Sequence, residues 1–246
     1  MQILIRDIIL YMEKLKAGAK KLGLHLTPSQ LSQYETYYQE LMTWNKRVNL
    51  TAITDYEEVQ IKHFLDSLTL VLAQPINTGV RLIDVGTGAG IPGIPLKIAF
   101  PSIGLVLLEA VAKKAAFLRH ISQKLGLEDV EIVVGRAEEI AHRSEYREKF
   151  DLVLSRAVAP LPTVVELVLP FCAIGGSFIA QKKGGTSEEV SNAARAIDIM
   201  GGRLREIRAV DLAEFADKRF LVIIDKLSPT PAKYPRRPGI PAKRPL

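Results

Sequence analysis

Disulfide chemistry is excluded at the outset, because the 246 residues contain a single cysteine, Cys172. One cysteine cannot close an internal bridge, which fits a reducing cytosol. It lies in the apolar run Leu167 to Ile174, so a buried structural thiol is favoured over a nucleophile. Histidine is also scarce. His25, His63, His120 and His142 are scattered, none with another His or Cys at metal-ligand spacing, so no metal site is expected. Apolar runs are short, and none reaches the roughly 18 residues that suggest a membrane span. Met1 to Lys21 mixes apolar and charged residues at helical spacing, interrupted by Asp7 and Glu13. No small-residue cleavage site follows, so it does not read as a signal peptide. A cytoplasmic protein without membrane contact is the expectation.

Acidic residues are missing from one place in particular. Residues 227–246 carry Lys233, Arg236, Arg237, Lys243 and Arg244 and no acid, and this segment holds nearly all of the net charge of +6. The rest of the chain is close to neutral, with 28 basic against 27 acidic residues. A basic tail favours a polyanion such as nucleic acid, against a merely solubilising end. Six prolines and no hydrophobic periodicity predict an extended or flexible segment without a packed core.

Three regions follow from periodicity. Residues 1–75 read as helical and packed on the core. Thr27-Pro28-Ser29-Gln30 offers a capping box with proline at the first helical position, and Leu31, Tyr34, Tyr38, Leu41 and Trp44 then form an amphipathic stripe. Thr54-Asp55-Tyr56-Glu57 reads as a second capping box, opening a helix with Ile61, Phe64, Leu65, Leu68 and Leu72 on one face. Residues 76–226 alternate strands and helices, which predicts an α/β fold with parallel strands and helices on both faces. At its end, Arg203 to Val210 and Arg219 to Asp225 read as strands joined by a short loop, hence an antiparallel pair. A mostly parallel seven-stranded sheet closed in this way matches the Rossmann-like class I S-adenosylmethionine-dependent methyltransferase variant. It departs from a pure dinucleotide-binding sheet. The tail is the third region.

The most specific chemistry lies in Asp84-Val85-Gly86-Thr87-Gly88-Ala89-Gly90-Ile91-Pro92-Gly93, between a buried strand and a helix. Glycines allow a sharp turn and close approach to a ligand, and the helix N-terminus offers free N–H groups. From Gly88 the loop also satisfies the dinucleotide pattern, so an NAD-dependent oxidoreductase stays open at this point. Asp84 favours a cofactor bearing an ammonium group, since an acid there would repel a pyrophosphate. Glu109 ends the second strand, where a carboxylate reaches ribose hydroxyls under either reading. Gly135-Arg136-Ala137-Glu138 ends the third strand, beside the expected adenine. Ser155-Arg156-Ala157 ends the fourth, beside the expected methyl.

Two absences narrow the reaction. The Asn/Asp-Pro-Pro-aromatic motif of exocyclic-amine methylation is replaced by Ser155-Arg156-Ala157-Val158, and pyrimidine C5 methylation would require a cysteine near the site. A ring nitrogen with a free lone pair, such as guanine N7, needs neither. A non-catalytic RNA-binding protein on the same scaffold is a further alternative.

Taken together, the chain closely resembles the bacterial small-subunit (16S) ribosomal RNA guanine-N7 methyltransferases, also called glucose-inhibited division protein B. The resemblance spans nearly the whole chain. It rests on Trp44-Asn45-Lys46-Arg47-Val48-Asn49-Leu50-Thr51, on Lys62-His63-Phe64-Leu65-Asp66-Ser67-Leu68, on Asp84 to Pro95, on Arg136-Ala137-Glu138, on Ser155-Arg156-Ala157 and on Tyr234 to Gly239. It implies S-adenosylmethionine as cofactor, held by Asp84, Gly86, Gly88, Ile91, Glu109, Ala137, Glu138 and Arg156. It implies catalytic positions at Arg156, His63 and Asp66, and 16S ribosomal RNA, free or within the small subunit, as partner. His63 and Asp66 taken alone read as a surface pair on one helix face. Lys182 and Lys183, read as facing one side of the sheet, and Arg236 and Arg237 in the tail are the candidate RNA contacts.

Overall fold

The computed structural model describes residues 12–156, 159–184 and 186–246. Most of the Met1 to Lys21 stretch, Ala157 of the Ser155-Arg156-Ala157 motif and the adjoining Val158 lie outside the described residues.

Seven strands form one sheet in the order β3-β2-β1-β4-β5-β7-β6. They are β1 (Arg81–Val85), β2 (Gly104–Glu109), β3 (Val130–Val134), β4 (Phe150–Arg156), β5 (Cys172–Lys183), β6 (Gly202–Val210) and β7 (Arg219–Lys226). The pairs among β1 to β5 are parallel, and β7 lies antiparallel between β5 and β6. The strand order reverses between β1 and β4, the switch point where open α/β sheets bind ligands at the carboxyl ends of their strands.

The N-terminal helices cover one face. These are α1 (Glu13–Lys21), α2 (Pro28–Val48) and an irregular helix that runs as α over Tyr56–Val59, π over Gln60–Leu65, α over Asp66–Leu68 and 3₁₀ over Thr69–Leu72. With α3 (Gly93–Ala99) and α4 (Ala112–Lys124) they pack on Leu82, Leu105, Leu107, Leu152, Leu154 and Ile179. The alternate strand residues, including Ile83, Val106, Val153 and Phe178, face α5 (Ala137–Ile140), α6 (Leu161–Val168) and α7 (Thr186–Ile199). The side-chain period of two along each strand thus builds two apolar layers, one per face.

Local chemistry sets the helix ends. Thr27 accepts from Gln30 N, while the Gln30 side chain accepts from Thr27 N, closing the capping box. The second cap is Asp55 rather than Thr54, with its carboxylate accepting from Glu58 N at 2.9 Å. On α2 the fully buried tyrosines are Tyr34 and Tyr37, not Tyr38. The core flanks the stripe on two sides, so the buried face is wider than a single row at steps of three and four. Cys172 begins β5 as a buried free thiol, pushed up to about 12 by desolvation.

The tail departs from the flexible segment its composition predicts. Residues 227–246 lie along the α6 face, with Thr230, Tyr234 and Pro241 buried and a short helix α8 (Ile240–Lys243). Arg147 donates to the carbonyls of Ala141, Thr230, Pro231 and Tyr234. His142 Nε2 bonds the Pro235 carbonyl at 2.9 Å. Fixed hydrogen bonds to the core replace the periodic apolar burial that the tail lacks.

Candidate active site

The glycine-rich turn between β1 and α3 hangs from its neighbours. Gly86 N and Thr87 N donate to the Leu108 carbonyl, and Gly88 N donates to Glu109 Oε2 at 2.9 Å. Gly86 and Gly88 have φ of 72° and 60°, the left-handed region that disfavours any side chain. Below the turn, the fully buried Asp84 accepts on Oδ2 from Thr87 Oγ1 at 2.7 Å and from Gly93 N at 2.9 Å. Its Oδ1 is buried without a partner. Burial pushes Asp84 up to about 6, against the opposing bonds from Thr87 and Gly93. An acceptor oxygen left bare at the switch point fits a cationic or N–H-bearing ligand. Glu109 spends one lone pair of each oxygen on the N–H groups of Gly88 and Val111, and keeps the others for hydroxyl donors. Ile91 is packed into the core of the N-terminal face.

The N-terminal helices brace this turn. Tyr37 Oη donates to the Ala89 carbonyl at 2.5 Å, and Tyr34 Oη to the Pro95 carbonyl at 2.6 Å. Tyr37 stacks on Phe64 with centroids 5.2 Å apart. Both tyrosines therefore hold the loop as well as fill the core. Tyr37→Phe keeps the ring and strands a buried carbonyl, at about 1–3 kcal/mol. The expected result is an unfolding midpoint several degrees lower in a thermal melt followed by circular dichroism. An unchanged midpoint would show that the bond contributes nothing.

A cavity of about 260 Å³ opens over the ends of β1, β2 and β3. Gly86, Leu108, Ala137 and Glu138 line one side, and Pro241 and Ala242 of the tail line another. Glu138 accepts on Oε1 from Gly239 N at 3.1 Å and from Arg136 at 3.2 Å. Although burial pushes its carboxyl up, its own and Gly239's backbone N–H and Arg136 hold it below the usual carboxylate value. Glu138 thereby ties the tail to the cavity.

Across the switch point, the irregular helix brings His63 and Asp66 to the end of β4. They are not a surface pair: they are 7% and 3% exposed. Arg156 donates to the Lys62 carbonyl at 2.7 Å, reaches His63 Nδ1 at 3.3 Å and lies 3.5 Å from Asp66. His63 Nδ1 also lies 3.2 Å from the Lys62 carbonyl, and Nε2 lies 2.7 Å from Thr51 Oγ1, so Arg156, Lys62 and Thr51 together hold the ring. Burial and Arg156 push His63 down to about 3, so the ring is neutral. The Trp44–Thr51 motif acquires a physical role here. Asn45 Oδ1 accepts from Leu50 N and Thr51 N, and Asn45 Nδ2 donates to the Thr51 carbonyl, which fixes the Thr51 hydroxyl against His63.

Arg219 was not legible as a site residue. It opens β7, and because β7 runs antiparallel its first residue meets the carboxyl ends of β4 and β5, 3.7 Å from Asp66. Lys182 and Lys183 both line a cavity at the ends of β4 and β5, but their side chains find different partners. Lys182 pairs with Glu189 of α7 at 2.7 Å, while Lys183 reaches Asp217 at 3.7 Å, because successive strand residues point to opposite sides. Arg236 does not present a free cation to RNA. Its guanidinium grips the fully buried Glu166, with Nη2 at 2.5 Å from Oε2, and its N–H donates to the same carboxylate. Arg237 is exposed. Among the described residues no group of three His, Cys, Asp or Glu could hold a metal ion, and no helix is long and apolar enough to cross a membrane.

Comparison with known proteins bears on the fold and the family. A solved precorrin-6y C5,15-methyltransferase from Geobacter metallireducens superposes with a TM-score of 0.51 at 17% identity, over 74% of this chain and 92% of its own, a likeness of fold alone. A ribosomal RNA small subunit methyltransferase G from Dehalococcoides mccartyi is 57% identical over 96% of this chain and 100% of its own length. A protein of the same name from Alkaliphilus metalliredigens is 47% identical over 94% and 97%. The oxidoreductase and non-catalytic alternatives find no support in these comparisons. Residues 30–216 match the family described as rRNA small subunit methyltransferase G, and the chain belongs to that family.

Proposed function

We propose that this chain transfers a methyl group from S-adenosylmethionine to N7 of one guanine in 16S ribosomal RNA, in the cytoplasm. The observation that carries the reading is Asp84 Oδ1, a buried acceptor without a partner at the end of β1, beneath a glycine turn and within the electrostatic reach of Arg156. Asp84 takes the cofactor's ammonium group, and Gly86, Gly88 and Ile91 shape the cradle around its methionyl part. Glu109 accepts from the ribose hydroxyls, and Ala137 and Glu138 flank the adenine in the cavity. Bound there, S-adenosylmethionine supplies an electrophilic methyl group on a sulfonium.

Guanine N7 carries a lone pair and no proton, so no residue need act as a base. That matches what the site holds. His63 is a neutral, hydrogen-bonded ring pushed down to about 3, and Cys172 is a buried thiol pushed up to about 12. Neither is an effective base or nucleophile there. Arg156, held by Lys62, His63 and Asp66, orients the reacting groups and supplies positive potential toward the RNA. Catalysis is then positioning in line, plus electrostatics.

The test is transfer of labelled methyl from S-adenosylmethionine to small-subunit RNA and particles from cells lacking the gene, followed by reduction and aniline cleavage. A single cleavage at one guanine is the expected result. Label without cleavage would keep the methyltransferase and reject N7. No label from folded, cofactor-binding protein would reject the RNA substrate.

A further inference from the structure

A second cavity of about 260 Å³ opens on the other half of the same sheet edge, over β4, β5 and β7. Its charges do not close. Arg156 and Arg219 share Asp66 at 3.5 and 3.7 Å, and Arg219 and Lys183 share Asp217 at 3.8 and 3.7 Å. Three cations thus divide two carboxylates, and none lies at hydrogen-bond distance. The open pairs that recur in the protein, such as Lys14–Glu57 at 3.7 Å, lie on exposed side chains, whereas the half-buried pairs Lys182–Glu189, at the rim of this cavity, and Arg236–Glu166 close to 2.7 and 2.5 Å. Lys183 and Asp217 reach solvent, but the two guanidinium groups are largely shielded from it, with side chains 14% exposed at Arg156 and 5% at Arg219. Two of its donors, Arg156 Nη1 and Arg219 Nε, are buried without any acceptor. Buried donors on uncompensated cations are destabilising unless an anion completes them.

One more buried atom points the same way but asks for a donor. Gln181 Nε2 donates to the Asp66 carbonyl at 2.5 Å and lies 3.4 Å from Thr69 Oγ1, which fixes the orientation of the amide. Gln181 Oε1 is therefore held at the cavity without a partner. Among common anions, an RNA phosphodiester carries a hydroxyl donor, the 2′-OH, on the adjoining ribose, and the DNA equivalent does not.

We propose that this cavity receives one phosphodiester of the RNA strand flanking the target nucleotide, between Arg156, Arg219 and Lys183, with the neighbouring 2′-hydroxyl donating to Gln181 Oε1. The inference rests on RNA being the substrate and adds a site for the backbone beside the site for the base. Arg219 is then a binding residue for the substrate backbone. Gln181 is the group that tells RNA from DNA.

The test is binding of a short single-stranded RNA of small-subunit sequence, and of DNA of the same sequence, as salt is raised. Wild-type protein should prefer RNA, and Gln181→Met should lose that preference. Arg219→Gln should weaken RNA binding roughly tenfold to a hundredfold and lower the logarithmic salt slope by about 0.7. Arg219→Lys, which keeps the charge, should keep the slope. S-adenosylmethionine affinity within twofold of wild type certifies that each variant is folded. If Arg219→Gln leaves affinity and slope unchanged, the cluster is a structural ion network and the proposal falls. Equal wild-type affinity for RNA and DNA removes the role of Gln181. If RNA binds as described but no methyl is transferred, the methylation reading fails and the backbone site stands.

Discussion

Arg236→Ala should detach the C-terminal segment and lower the unfolding midpoint by on the order of 10 °C. Glu166 is fully buried, and Arg236 bonds both of its oxygens. Truncating the guanidinium leaves a carboxylate with little but one backbone N–H in an apolar layer, a change worth about 3–5 kcal/mol. The damage should reach the cofactor. Gly239 N would no longer hold Glu138, and Pro241 and Ala242 would no longer wall the cavity. S-adenosylmethionine affinity should fall at least about tenfold, and protease should cut the tail early. Removing both charges, with Arg236→Met and Glu166→Leu together, should recover much of the midpoint. If Arg236→Ala melts like wild type and weakens only RNA binding, the ion pair is incidental and Arg236 is a nucleic-acid contact.

Asp84→Asn should cost roughly tenfold to a hundredfold in S-adenosylmethionine affinity without destabilising the free protein. The Asn carbonyl can replace Oδ2 toward Thr87 and Gly93, but its amide then turns N–H groups toward the ammonium. A pH signature separates this from a packing defect. Burial raises the carboxyl of Asp84 to about 6 from its ordinary 3.8. The folded, ligand-free protein therefore holds this proton more tightly than the unfolded chain does. Its contribution to stability is present below about pH 4 and lost as pH rises through about 6. Binding an ammonium requires the carboxylate, so affinity should rise as pH rises through about 6, with proton release below it. Calorimetry from about pH 5 to about pH 8 in two buffers of different ionisation enthalpy measures both quantities. The Asn variant should show neither. A flat wild-type profile would remove Asp84 from the ammonium site.

His63 gives the opposite sign for stability. Burial and the neighbouring Arg156 push its ring down to about 3. The unfolded chain takes up a proton near 6.5 that the folded state refuses. Stability is therefore full above that value and lost as pH falls toward 3.

Much of this was legible along the chain, because local chemistry carried it. The glycine turn, the capping box at Thr27 and the alternation of strands and helices each depend on residues a few positions apart. The same locality explains the errors. A spacing rule placed Tyr38 in the stripe, where it packs partly buried on the core, but missed Tyr37, which the wider packing surface buries fully. Two adjacent lysines read as facing one side do line one cavity, but strand alternation gives them different acid partners. Composition made the tail look unstructured. Its order comes from Arg147, Glu166 and Glu138, which lie outside it and cannot be seen from within.

What the sequence by itself determined was the α/β layout, the cofactor turn and the residue types available for chemistry, since these follow from backbone propensity and short-range spacing. Which residues share a site was decided only by the tertiary structure. The irregular helix carries His63, in its π segment, and Asp66, just after it, inward to Arg156, and antiparallel β7 delivers Arg219 to the edge where β4 and β5 end. Buried charges must find partners wherever the fold brings them together, and their partners are set by sheet order and strand direction rather than by distance along the chain.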